Sequence, residues 1–160
     1  MHIALVSDSH SNHVNVNRAI ARIEALGLTT VLHAGDIADP GIVYALAEFE
    51  TYFVFGNVDY DREPLRAAMR ETGAVCCEEF GAIELAGRKI ALLHGDDKRR
   101  LDEAEHSGRY DLVCYGHTHK AESHCTGPTL VVNPGALHRA RPHTFAVYDT
   151  EKAAVEFVPA

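Results

Sequence analysis

The sequence predicts an α/β domain. Apolar runs of strand length alternate with helical patterns from the first residues to Gly73, and the strands then come in pairs. At 160 residues, with 46% hydrophobic and 24% charged residues, the chain can bury one substantial core and is too short for two ordinary domains. A single domain over residues 1–160 is therefore expected.

Taken in order, "HIALVSD" reads as a buried first strand. The N-terminus lacks the basic region and small-residue cleavage site of a signal peptide. "NHVNVNRAIARIEALG" sets Val16, Ile20 and Ile23 at helical spacing, with Gly27 as a stop. "TTVLHAGD" is a second strand, "GIVYALAEFE" a short helix with Ile42, Leu46 and Phe49 on one side, and "TYFVFGN" a third strand. "REPLRAAMRETG" adds a helix. This βαβαβ opening favours parallel strands whose C-terminal ends gather on one edge, the usual ligand edge of such sheets. "FGAIELAGRKIALLHG" then reads as a hairpin turning at Ala86-Gly87, "KRRLDEAEHSG" as a helix and "DLVCYG" as a strand. "AESHCT", "TLVVNPG", "HTFAVYDT" and "AAVEFVP" are strands, so a mixed sheet, or two sheets packed face to face between helices, fits the order.

Charge and cysteine usage exclude several function classes. Fifteen Lys and Arg against 23 Asp and Glu leave a net charge of -8, which repels phosphate backbones and anionic lipids. Long nucleic acid is not an expected partner, and no apolar stretch long enough for a membrane span occurs. Cys76, Cys77, Cys114 and Cys125 form no CxxC pair, so they read as reduced packing residues of a cytoplasmic protein. Adjacent Cys76 and Cys77 on an extended run would face opposite ways.

The chemistry lies at the strand ends. Asp8 and His10 come from "SDSH", Asp36 from "AGDIAD", Asn57 and Asp59 from "FGNVD", His94 from "LLHGD", and His117 and His119 from "GHTH". Alone, each has an ordinary explanation: Asp8 and Asp36 as helix N-caps, Asn57 as a turn residue, His94 as a hydrogen-bonded core histidine. Independent causes would scatter such residues, whereas here they recur where one sheet edge would collect them. Carboxylates, imidazoles and an amide suit a first-row divalent metal (Mn, Fe, Zn, Co or Ni) better than calcium. Asp8, His10, Asp36, Asn57, His94, His117 and His119 exceed the needs of one ion and would serve two, with a carboxylate bridging ions roughly 3.5–4 Å apart.

The ordered motifs D-x-H, G-D, G-N, H-G and G-H-x-H resemble the calcineurin-like metallophosphoesterases, and within them the short bacterial and archaeal phosphodiesterase branch that shares its fold with the retromer subunit Vps29. The resemblance implies a four-layer αββα sandwich of two mixed β-sheets flanked by helices. It implies one metal on Asp8, His10, Asp36 and His119 and a second on Asp36, Asn57, His94 and His117, with Asp36 bridging. The two histidines of "GHTH" would then serve different ions from alternate positions on an extended segment. Two divalent ions are implied, Mn foremost, with Fe, Zn, Ni or Co as alternatives. A hydroxide bridging them would attack a small or activated phosphodiester. Asp36, Asn57, His94 and Asp59 form the expected catalytic group, Asp59 as a partner holding Asn57 or a histidine.

Two departures from the family pattern matter. Many members read G-N-H-[DE], and that histidine, helped by an aspartate corresponding to Asp39, is thought to protonate the leaving group; here Val58 stands in its place. Asp59, Asp96 or His13 remain as donors, and acidic leaving groups should be favoured. "HGDD" places Asp96 where relatives often carry histidine. A small phosphodiester or phosphoester is the expected substrate, and a homodimer stays open. The alternative to an enzyme is a catalytically weak Vps29-like protein-binding scaffold. Arg139 and Arg141 follow the "NPG" turn and could approach a substrate phosphate, but exposed arginines usually have no specific role, and they stand outside the expected catalytic group. His2, His33, His106, His124, His138 and His143 read as structural or surface residues.

Overall fold

The computed structural model describes residues 1–160. Its layering follows from the alternation in β1 (His2–Val6), which is buried on both faces. Ile3 and Leu5 point one way, into an apolar layer shared with Leu32, Ile90, Leu92, Leu112, Val132 and Tyr148. Ala4 and Val6 point the other way, onto Val16, Ala19, Ile23, Leu65 and Met69 from helices. One strand thus contributes to two cores, which the near-continuous apolar run anticipates.

β1 is followed by α1 (His13–Ala25), β2 (Thr30–His33), α2 (Pro40–Ala45), β3 (Glu50–Phe53), α3 (Arg62–Thr72) and a two-residue strand, β4 (Val75–Cys76). β5 (Phe80–Leu85) and β6 (Arg88–Leu93) form the hairpin. α4 (Lys98–His106), β7 (Leu112–Cys114), β8 (Ala121–Thr126), β9 (Thr129–Pro134), β10 (Thr144–Asp149) and β11 (Ala154–Pro159) complete the chain. The six-stranded sheet has the order β11-β10-β1-β2-β3-β4 and the five-stranded sheet the order β5-β6-β7-β9-β8. Helices α1, α2 and α3 cover the first sheet, and a third apolar cluster, with Ala104 of α4 against Leu93 and Val113, lies behind the second. The expected αββα sandwich is the observed one.

Parallel pairing is confined to β1, β2, β3 and β4 in one sheet and to β6, β7 and β9 in the other. The loops that follow β1, β2, β3, β6 and β7 carry all the predicted strand-end residues. Local chemistry sets the boundaries: Asp39 caps α2 by accepting the Gly41 amide at 2.7 Å, with Pro40 in the first turn. The hairpin turns with Ala86 at φ 49° and Gly87 at φ 75°, the left-handed pair of a type I′ turn.

Two elements differ from expectation. The helix expected over residues 41–50 ends at Ala45, because Glu50 already pairs with Thr30 in the sheet, and Thr51 Oγ1 donates to the Leu46 carbonyl to turn the chain there. β4 gives no periodic signal, being two residues long on a sheet edge. Cys76 packs on the helix-side core and Cys77 on the intersheet core, as an extended pair should, and all four cysteines are free.

Candidate metal centre

The loop after β1 runs alongside the loop after β2. The Asp8 amide donates to the Gly35 carbonyl at 3.1 Å, and the His10 amide to the Asp36 carbonyl at 2.9 Å. Asp8, His10, Asp36, His117 and His119 all have φ between 41° and 69°. Left-handed backbone costs a side-chain-bearing residue roughly 1–2 kcal/mol, and its concentration in one place marks a site where geometry is held against local preference.

Close packing enforces that geometry. A Cβ on Gly56 would overlap Asp36 Oδ1, and one on Gly116 would overlap Ser7 Oγ, so neither loop admits a larger residue without moving the carboxylates. Asp59 is buried and spans two loops: Oδ1 accepts the Ala38 amide and Oδ2 the Gly56 amide, each at 2.7 Å. Both oxygens are therefore occupied by backbone. Asp59 holds the segments that carry Asp36 and Asn57, not the Asn57 or histidine side chain expected from sequence. Burial raises its carboxyl above the ordinary value despite the two amides.

The side chains form two groups that share Asp36. In the first, Asp8 Oδ1 lies 3.2 Å from His119 Nε2 and 3.8 Å from His10 Nε2, and Asp36 Oδ2 lies 3.3 Å from His10 Nε2. The two imidazole nitrogens face each other at 3.3 Å. In the second, Asn57 Oδ1 lies 2.9 Å from His117 Nδ1 and 3.1 Å from His94 Nε2, which is itself 3.3 Å from Asp36 Oδ1. All seven sequence-predicted ligands are thereby brought together, one Asp36 oxygen facing each group.

The chemistry of these atoms fits cations. Asp8 is fully buried, its Oδ2 accepts bonds from Ser7 Oγ and the His117 amide, and its Oδ1 has no partner. An orphaned carboxylate oxygen in the interior is costly unless a positive charge meets it. His94 Nδ1 lies 2.8 Å from the Ala34 carbonyl, which only accepts, so Nδ1 carries the proton. Nε2 is then left with its lone pair facing Asn57 Oδ1 and Asp36 Oδ1, an arrangement that asks for a second proton or a metal. Burial alone would lower the His94 pKa, but the Asp36 carboxylate outweighs it and pushes it up to about 9. Reciprocally, His94 holds Asp36 below the ordinary carboxylate range against the effect of burial, helped by the Val58 amide at 3.0 Å.

One expectation about "GHTH" fails. His117 and His119 do not alternate on an extended segment. Both are left-handed, and the Thr118 amide turns back to the Gly116 carbonyl at 2.8 Å. Asn133 Nδ2 fixes this turn by donating to the Gly116 carbonyl and Thr118 Oγ1. Thr118 is directed away, and the imidazoles diverge, one to each group.

Around the second group, Asn57 and His94 open onto a cavity of about 140 Å³ that also meets Phe55, Arg62, Asp96 and Arg100. Arg62 and Arg100 are both tied to Glu79, at 2.9 and 3.4 Å. His13 Nε2 lies 2.5 Å from Asp39 Oδ2, linking the starts of α1 and α2. Sequence reasoning missed His138, which it read as structural or surface: its ring centroid is 5.0 Å from that of His10. A lone histidine in "LHRARPH" carries no spacing signal that would have found it. His33 is structural as expected, fully buried between Ser9 Oγ and the Gly35 amide.

A two-sheet sandwich whose carboxylates, imidazoles and amide converge on one edge is the architecture of a phosphoester hydrolase. A family model described as the calcineurin-like phosphoesterase superfamily domain matches residues 1–153, and the chain belongs to that superfamily. It is 30% identical over 160 residues to phosphodiesterase MJ0936 of Methanocaldococcus jannaschii, covering 95% of each chain. Among solved structures, a novel archaeal phosphodiesterase superposes with a TM-score of 0.93 at 27% identity over 100% of both chains. Vps29 of Entamoeba histolytica shares the fold, with a TM-score of 0.70 at 20% identity over 100% of this chain and 99% of that one. No helix is long and apolar enough to cross a membrane.

Proposed function

We propose that the protein is a phosphodiesterase that works with two divalent ions, held by Asp8, His10, Asp36 and His119 and by Asp36, Asn57, His94 and His117. The observation that carries this reading is the pair of lone-pair clusters sharing one carboxylate, with Asp8 Oδ1 buried and unpartnered. When bound, two divalent ions supply Lewis acidity toward phosphoryl oxygens and lower the pKa of water to near neutrality. Mn is the first choice by donor set, with Fe, Zn, Ni or Co able to replace it. The similarity to phosphodiesterase MJ0936 supports diesters over monoesters.

The chain's own residues do the rest. His94 is oriented by the Ala34 carbonyl, which keeps its proton on Nδ1 and its Nε2 lone pair on the centre. The Val58 amide steadies Asp36, and Asp59 locks the two loops together. These contacts fix the ligands in place and so limit the reorganisation needed during reaction. Asp59 is a positioning residue on this reading, since neither oxygen is free to exchange a proton with substrate. Asp96, exposed at the cavity beside Asn57 and His94, is the best-placed side chain to assist a leaving group.

The test is hydrolysis of bis(4-nitrophenyl) phosphate by chelator-stripped protein, with and without Mn²⁺, beside His117→Ala. Turnover restored by metal and removed by the substitution is expected. Folded protein that binds two ions and turns over nothing would overturn the enzymatic reading in favour of a scaffold.

A further inference from the structure

The loop between β9 and β10 is anchored to the loop that carries Asp8 and His10. The Leu137 amide donates to the Ser7 carbonyl at 3.3 Å, and the Leu137 carbonyl accepts from Asn12 Nδ2 at 3.2 Å and Asn15 Nδ2 at 2.8 Å. Thr144 Oγ1 closes the loop on the Pro134 carbonyl at 2.8 Å. These bonds set His138 against the His10 ring, and "RARPH" continues the chain directly from it.

The charge on this loop is uncompensated. Residues 135–143 contain no acid, and Arg139 and Arg141 are exposed with no carboxylate within salt-bridge distance. Arg62, Arg66, Arg88 and Arg100, by contrast, are all paired with Glu or Asp. Arg18 adds a third guanidinium without a carboxylate: it donates to Asn15 Oδ1 at 3.4 Å, and Asn15 in turn holds Leu137. On a chain of net charge -8, this local excess of cations is a patch that attracts anions. The ligand sets contribute only two carboxylates, Asp8 and Asp36, against two divalent ions. With a hydroxide nucleophile counted, a diester monoanion already balances those charges, so a further phosphate would need cations outside the ligand sets. Guanidinium forks match phosphate oxygens in bidentate geometry, which an ammonium does not.

We infer that the His138–His143 loop is a second phosphate site, and that the substrate is a phosphodiester carrying an additional phosphate group, bound by Arg139 and Arg141. This rests on the phosphodiesterase reading. The cavity beside Asn57 and His94 does not compete for that role, because Arg62 and Arg100 share Glu79, Arg100 also meets Asp97 at 3.9 Å, and Asp96 lines the same cavity.

The test compares thymidine 5′-(4-nitrophenyl phosphate) with the same ester phosphorylated at the 3′ oxygen. The Mn²⁺-loaded protein should show kcat/KM higher by about tenfold or more on the 3′-phosphorylated ester, as hydrogen bonds to charged groups warrant. That preference should shrink with added salt. In the Arg139→Ala/Arg141→Ala double variant the ratio of the two kcat/KM values should fall toward one, whereas a general loss of folded protein lowers both and leaves the ratio unchanged. Equal rates on the two esters, or an unchanged ratio in the double variant, would overturn the inference. Calorimetric binding of thymidine 3′,5′-bisphosphate against thymidine 5′-monophosphate separates the two readings. An arginine-dependent preference for the bisphosphate without turnover of either ester leaves the phosphate site and removes the phosphodiesterase. Turnover without preference does the reverse.

Discussion

Asp8 Oδ1 sits 3.2 Å from His119 Nε2 at a fully buried position, yet it accepts no hydrogen bond. The other oxygen of the same carboxylate is well satisfied, so the side chain is fixed with one oxygen left over. Such an atom weakens the metal-free protein and becomes an asset when a cation meets it.

Asp8→Asn should therefore stabilise the metal-free protein while impairing the loaded one. Removing a buried unpartnered charge is worth about 1 kcal/mol, or roughly 2–4 °C in melting temperature for a chain of this size. The gain in melting temperature on adding Mn²⁺ should fall below that of wild type. Thermal unfolding of both proteins with and without metal reads the two effects, and an Asn variant less stable than wild type without metal would contradict the geometry.

Asp36 and Asn57 should differ in metal stoichiometry. Asp36 faces His10 with one oxygen and His94 with the other, whereas Asn57 meets only His94 and His117. Asp36→Ala should lose both ions after dialysis and Asn57→Ala only one, as counted by elemental analysis per chain. Ion binding at a hundredfold over Kd stabilises by about 2.7 kcal/mol, so the melting temperatures should rank in the same order. Two ions retained by Asp36→Ala would rule out the shared carboxylate.

Most of this candidate site was legible in the sequence because each candidate ligand follows a strand, and parallel strands bring their C-terminal ends together. Asp8, Asp36, Asn57 and His94 could be placed from strand order alone. What the sequence could not convey was backbone conformation inside the loops. His117 and His119 are separated as expected, but by left-handed turns pinned by Asn133, a residue two strands away in the chain. Asp59 stands in the recognised motif, yet its partners are the amides of Gly56 and Ala38, one of them in another loop. His138 escaped notice for the same reason: its place beside His10 depends on hydrogen bonds from Asn12 and Asn15 to Leu137. Periodicity reports which face a residue lies on. It carries nothing about tertiary bonds that fold one loop onto another.

Val58 predicts the leaving-group dependence. Its amide is engaged with Asp36, and its side chain holds no proton to give where many relatives have histidine. Aryl diesters should be cleaved far faster than alkyl diesters, and rates across a series of phenols should rise steeply as the leaving-group pKa falls. Val58→His should narrow the gap on the poorer leaving groups, since general acid catalysis is worth typically about 10²–10⁴-fold. A flat dependence in wild type would show that another group, Asp96 foremost, already protonates the leaving oxygen.

His33 provides a pH dependence of stability in the metal-free protein. It is fully buried, and burial pushes its pKa down to about 4 from the ordinary 6.5. Its Nδ1 accepts from the Gly35 amide at 3.3 Å, which leaves Nε2 to donate to Ser9 Oγ, so the folded ring is neutral. Between these two pKa values the unfolded chain binds a proton that the folded chain refuses. The stabilising contribution of the neutral ring is thus complete above pH 6.5 and is lost as pH falls toward 4, by about 2 kcal/mol at pH 5. Urea unfolding of metal-free wild type and His33→Gln at pH 7 and pH 5 isolates this residue. The advantage of wild type over the variant should be smaller at pH 5, because only wild type has this histidine to protonate on unfolding. An advantage independent of pH would mean that the folded ring takes up its proton as readily as the unfolded one.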